Sequence, residues 1–131
     1  MTLALSTTLN TGFADAVERT RKALSEQGFG VLTEIDVTAT MKQKLDADME
    51  DYLILGACNP PLAHAALDVD RQIGLLLPCN VIVRKDPSDA AAVIVEAMNP
   101  QLMVQVVGDP ALKEVADTAA AKLGAAIAAL G

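Results

Sequence analysis

Aromatic side chains are nearly absent from this chain: Phe13, Phe29 and Tyr52 are the whole complement, and there is no tryptophan. A surface that stacks successive bases of a single strand needs several such rings, which argues against single-stranded nucleic acid as a partner. Positive charge is also short, with 10 Lys and Arg against 17 Asp and Glu and a net charge of −7. DNA, RNA and anionic membrane surfaces would be repelled rather than steered in. No block of like charges reads as an interaction tail. No apolar run approaches the roughly 20 residues a membrane-crossing helix requires. Met1-Thr2-Leu3-Ala4-Leu5-Ser6 lacks the basic stretch and apolar core of a secretory leader. The glycines compose neither GxGxxG nor GxxxxGK, so no phosphate-cradling loop is present. No serine sits in the glycine elbow of a hydrolase.

What remains is aliphatic. Apolar residues make up 52% of 131 positions, enough for one domain, residues 1–131, with a core of Ala, Val, Leu and Ile. Residues 2–9 alternate and favour a strand, with Leu3 and Leu5 on one face. Phe13, Val17 and Leu24 recur at helical spacing, and Gly28 stands where a helix C-terminal glycine is expected. A second strand over 29–37 would place Phe29, Val31, Thr33, Ile35 and Val37 on one face and Leu32, Glu34 and Asp36 on the other. Thr38 or Thr40 can cap a short helix through Leu45.

Residues 49–58 read as a third strand, apolar on both faces near its end, which implies a central position in the sheet or helix cover on one face and a partner on the other. Pro60 and Pro61 suit the first turn of a helix running to about Asp70. Residues 73–78 form a compact apolar segment broken by Pro78. Strands from Cys79 and over 91–98 flank a turn at Asp86-Pro87-Ser88-Asp89 and make a hairpin. Residues 101–107 suit either strand or helix. Asp109 and Pro110 open a C-terminal helix whose stripe is Leu112, Val115, Ala119, Leu123 and Ile127. The fold class expected is α+β, a mainly antiparallel sheet of about five strands with helices on one face.

Chemistry-bearing residues are few. Cys58 and Cys79 are the only cysteines and His64 the only histidine. A cytoplasmic location is expected, where paired cysteines act as thiols, ligands or redox partners more often than as a structural disulfide. Cys58 lies between a strand and a proline-started helix, whose N-terminus would favour its thiolate. Cys79 opens a strand after Pro78, so neighbouring strands would bring both thiols to one sheet edge. Asn59 and Asn80 can hold a turn or orient a bound anion. With His64, the two thiols could ligate a soft metal ion, although the spacing matches no structural zinc pattern. The plainer alternatives are core cysteines acting as small hydrophobes and an exposed helical histidine. Glu34 and Asp36, two apart on a strand, could serve acid–base chemistry, lie on a solvated face, or pair with Lys42 or Lys44.

Three segments occur in a characteristic order: Gln27-Gly28-Phe29-Gly30-Val31-Leu32-Thr33-Glu34-Ile35-Asp36, Leu55-Gly56-Ala57-Cys58-Asn59-Pro60-Pro61-Leu62-Ala63 and Gly74-Leu75-Leu76-Leu77-Pro78-Cys79-Asn80-Val81. In these the chain resembles the domain of unknown function 302 family over most of its length. The resemblance implies a small α+β sandwich and a homodimer, and assigns no biochemical role; Glu34-Ile35-Asp36 falls within one of the recurring motifs. Three functions stay open. The first is a ligand-binding domain that takes a small molecule, sulfur species or soft metal at Cys58, Asn59, Cys79 and Asn80. The second is a redox or sulfur-transfer enzyme in which Cys58 attacks and Cys79 resolves. The third is a dimeric interaction domain whose cysteines only pack.

Overall fold

A computed structural model describes residues 2–131. Strand β1 (Ala4–Leu9) leads into helix α1 (Phe13–Glu26), then β2 (Gly30–Asp36), helix α2 (Val37–Leu45) and β3 (Tyr52–Cys58). Helix α3 (Pro60–Val69) and a 3-10 turn (Arg71–Leu76) precede the hairpin β4 (Cys79–Asp86) and β5 (Asp89–Met98). Helix α4 (Gln101–Val107), a 3-10 turn (Pro110–Leu112) and α5 (Lys113–Leu130) complete the chain. The five strands form one sheet in the order β1-β5-β4-β3-β2, and every neighbouring pair is antiparallel. The α+β architecture is thus the expected one, and the segment 101–107 resolves as helix.

Alternation sorts the sheet into two faces. Leu53, Leu55 and Ala57 of β3, Val81 and Val83 of β4, and Val93, Val95 and Ala97 of β5 are buried together. Against them lie Ala16 and Leu24 of α1 and Leu123, Ala126 and Ile127 of α5. Small residues on both helices let the helix layer settle close to a valine-rich sheet, so a core almost without aromatic rings still packs. The one buried hydroxyl on α1, Thr20, is satisfied by donating to the Ala16 carbonyl at 2.7 Å. A second apolar cluster, built on Ala66, Ile73, Met103, Leu112 and Ala116, joins α3, α4 and the start of α5. The opposite sheet face carries Ile54, Ile82 and Ile94, each half-buried.

The second strand departs from simple alternation. Val31 pairs with Ala57 and Thr33 with Gly56, so Leu32 is an extra residue in a β-bulge. A bulge reverses which face the following residues occupy. Thr33 and Ile35 therefore leave the face of Phe29 and Val31, while Glu34 and Asp36 turn to the helix side, opposite Leu55 and Leu53. Val37 is not in the strand but opens α2, whose cap is Asp36, accepting from the Ala39 N–H at 2.9 Å. Thr38 takes a different part: its hydroxyl donates to the Glu50 carbonyl and accepts from the Tyr52 N–H, fastening α2 to the entry of β3.

Candidate functional site

The site grows from the end of β3. Leu24 receives the N–H of Phe29 at 2.9 Å as α1 ends, and Gly28 takes a positive φ of 82° there, a conformation that suits glycine. That turn lies against Asn59, whose side-chain amide donates to the Gln27 carbonyl. The side-chain oxygen Oδ1 of Asn59 meanwhile accepts from the Leu62 N–H, capping α3. Asn59 is buried, and its amide is spent on holding two helix ends together.

Antiparallel pairing of β3 with β4 sets Ala57 opposite Cys79, and Cys58 is the next residue along. Both thiols are free and both line one pocket of about 350 Å³. Its walls are Phe29 and Leu32 from β2 and the turn before it, Leu62, Ala63 and Ala66 from α3, and Met103, Val115 and Ala119 from the C-terminal helices. It opens along the seam between the two apolar clusters, where α3 and α5 cover the sheet incompletely. No Asp, Glu, Lys, Arg or His lines it.

Electrostatics follow from that lining. Cys79 is 7% exposed, and burial pushes its thiol up from 9.0 to about 11, with the neighbouring Cys58 adding to the effect. A thiolate there would lose its water without gaining a compensating donor or cation, so the proton stays on. Cys58 is only half-buried and is the more accessible of the two.

The remaining sequence candidates lie elsewhere. Asn80 is exposed and pairs in register with Gly56, away from the pocket. Glu34 forms an ion pair with Arg21 of α1, rather than with Lys42 or Lys44, because the bulge turned it toward the helices. Asp36 caps α2 and is not in the pocket. His64 is solvent-exposed on α3 and sits 3.6 Å from Asp68, one helical turn on. Among the described residues no group of three His, Cys, Asp or Glu is placed to hold a metal ion. The set Cys58, Cys79 and His64 is therefore not assembled as a three-ligand centre.

Most of the pocket walls carry no mark in the sequence. Phe29, Ala63, Ala66, Met103 and Ala119 read as ordinary core, and only the third dimension turns them toward a cavity. Leu32 left a signal, an apolar residue on the otherwise polar side of an amphipathic strand.

Fold and site define a small α+β domain with an apolar, thiol-bearing pocket under its helix layer. The chain belongs to the DUF302 family, domain of unknown function DUF302, whose model matches residues 5–130. It is similar to the crystal structure of the uncharacterized conserved protein DUF302 from Bacillus stearothermophilus, with a TM-score of 0.90 and 28% identity over 100% of both chains. No curated protein matches it.

Proposed function

We propose that this domain binds a small apolar molecule in the pocket between α3, α5 and the end of β3. One observation carries the reading: a cavity of about 350 Å³ lined without a single charged side chain. Pockets of about 300–1,000 Å³ with apolar walls and few polar groups are the usual form of small-molecule sites. The two thiols and the Met103 thioether are the polarisable groups on its walls, and Cys79 is held neutral, which suits an uncharged ligand. An uncharged molecule needs no third donor beside the thiols, and among the described residues no His, Asp or Glu stands with them.

The test is a titration with N-phenylnaphthylamine, an uncharged dye that brightens in apolar surroundings, against wild type and Ala63→Phe. Ala63 is on a helix at the pocket wall and is not fully buried, so a larger ring there fills the cavity while α3 persists. Saturable one-to-one binding, weakened at least about tenfold in a variant that still unfolds cooperatively, supports the reading. A wild type that does not brighten the dye, or a variant that binds it equally, overturns it.

A redox role draws on one specific feature, two free cysteines on adjacent strands lining the same cavity. In that role Cys58 would be the attacking thiol, since Cys79 holds its proton. Mild oxidation with diamide, which takes up two protons and two electrons and becomes the hydrazine, should then yield an intramolecular disulfide, read by intact mass as the loss of two hydrogen atoms. A protein that stays fully reduced removes this role.

The assembly in which we place the domain is a cytoplasmic homodimer. Free thiols accord with a reducing compartment, and no helix among the described residues is long and apolar enough to cross a membrane. For the dimer, the support is the sheet face turned away from α1 and α5. It carries Ile35, Ile54, Ile82 and Ile94 around an Arg84–Glu96 ion pair of 2.9 Å that is itself three-quarters covered. A face with one cation and one anion is self-complementary across a two-fold axis. Sedimentation should report twice the 13.6 kDa chain mass, falling to the monomer for Ile82→Glu; a monomeric wild type rejects the assembly.

A further inference from the structure

The bulge in β2 has a local consequence at the pocket. Leu32 is 68% exposed, yet it is also one of the residues that line the cavity. Its neighbours Phe29 and Val31 are packed into the core. A leucine held two-thirds in water gains little from folding. The extra residue that puts it there interrupts the ladder between Val31 and Thr33, and bulges commonly re-aim a side chain beside a functional site.

Resting on the reading of the pocket as a small-molecule site, we propose that its ligand is an uncharged, hydrocarbon-rich molecule and that Leu32 grips the ligand's outer end. Size and charge both follow from the walls. A cavity of about 350 Å³ encloses roughly a dozen non-hydrogen atoms if each takes the ~30 Å³ of a liquid water, so a dye of about 17 such atoms leaves its last ring at the mouth. No cationic side chain lines it, so a carboxylate or phosphate drawn inside would be stripped of water with no partner. The overall charge of −7 opposes anions at the mouth as well. A neutral alcohol, ketone or ring compound meets apolar walls, the two thiols and Asn59, whose amide is already bonded to the Gln27 carbonyl and the Leu62 N–H. The outer end of such a molecule reaches Leu32, whose exposed surface is then removed from water on binding rather than on folding.

This arrangement separates stability from affinity at a single residue. Leu32→Ser should leave the unfolding midpoint in urea unchanged, because the side chain is exposed in the free protein. The same change should weaken N-phenylnaphthylamine binding about tenfold, the effect of losing part of a buried leucine contact. Leu3→Ser is the control: Leu3 is equally exposed but lies beside β1, at the far edge of the sheet, and should bind dye as wild type does. Competition then reads the charge rule, with decanol displacing the dye at least about tenfold more effectively than decanoate.

A wild type that binds no dye rejects the pocket reading and this proposal together. If wild type and Leu32→Ser bind alike, or if decanoate competes as well as decanol, the pocket stands and the proposal falls. A change in oligomeric mass in Leu32→Ser also overturns it, since Leu32 would then be covered by a second copy rather than by a ligand.

Discussion

Cys79 carries the sharpest quantitative expectation. Its thiol sits under the helix layer, opposite Ala57, and burial raises its pKa from 9.0 to about 11. The unfolded chain releases that proton near the ordinary thiol value. Between the two values, the native state keeps a proton that the unfolded state has lost. The stability contributed by the neutral buried thiol is therefore fully present below about pH 9 and is lost as pH rises through about 11. A shift of about 2 pH units amounts to about 3 kcal/mol when complete, and about 2 kcal/mol of it is gone by about pH 10.5.

Other groups ionise over the same range, so the informative quantity is a difference of differences. Urea unfolding free energies of wild type and Cys79→Val would be measured at about pH 8 and about pH 10.5. Valine is close to cysteine in size and carries no proton. Wild type should lose about 2 kcal/mol more than the variant over that interval. Reactivity gives an independent reading, since at about pH 8 only about one Cys79 in a thousand is ionised. Iodoacetamide should then modify Cys58 alone in the native protein and both cysteines in urea, counted by intact mass. Equal losses of stability with pH in the two proteins, or Cys79 reacting as fast as Cys58, would refute the account of burial as the controlling effect.

Two further expectations concern the scaffold of the site. A Cβ at Gly56 would fall inside van der Waals distance of Thr33 Oγ1 and 2.8 Å from Pro78 Cγ. Gly56→Ala should therefore destabilise by about 1–3 kcal/mol in urea unfolding, and adding Thr33→Ala should restore part of that; an alanine within about 0.5 kcal/mol of wild type would contradict the close approach. Asn59→Ala removes the α3 cap and the link to the Gln27 carbonyl together, so about 1–2 kcal/mol should be lost. Calorimetry reads that loss as a lower Tm, and an unchanged Tm would show that the cap is dispensable.

How far each element could be read in advance depended on the range of the forces that shape it. Strands at Ala4–Leu9, Tyr52–Cys58 and the β4–β5 hairpin, the helix opened by Pro60 and Pro61, and the stripe of α5 all announce themselves in side-chain period and turn residues. Those signals are local: alternation, caps and proline act within a few residues of where they are seen. The segment 101–107 was open because seven mostly apolar residues fit either period, and packing of Met103 against Ala66 and Leu112 accompanies the helix. The spacing of Glu34 and Asp36 puts them on a common face, but which face depends on one extra residue at Leu32. A bulge is chosen by the pairing partner, here Gly56 and Ala57, and its one trace in the strand itself is the apolar Leu32 on a polar side, which does not say where the register shifts.

By itself the sequence determined a small, aromatic-poor, acidic α+β domain with two cysteines in turn contexts, since composition and local periodicity are properties of the chain alone. Strand order was decided only in three dimensions, and with it the meeting of Cys58 and Cys79 at one cavity. The same holds for the employment of Asn59, Glu34 and Asp36 in caps and an ion pair, and for the removal of His64 and Asn80 from the site. The physical reason is that a pocket is a failure of two packed layers to close, here α3 and α5 over the end of β3. Such a gap belongs to no residue singly and arises only when distant segments are pressed together.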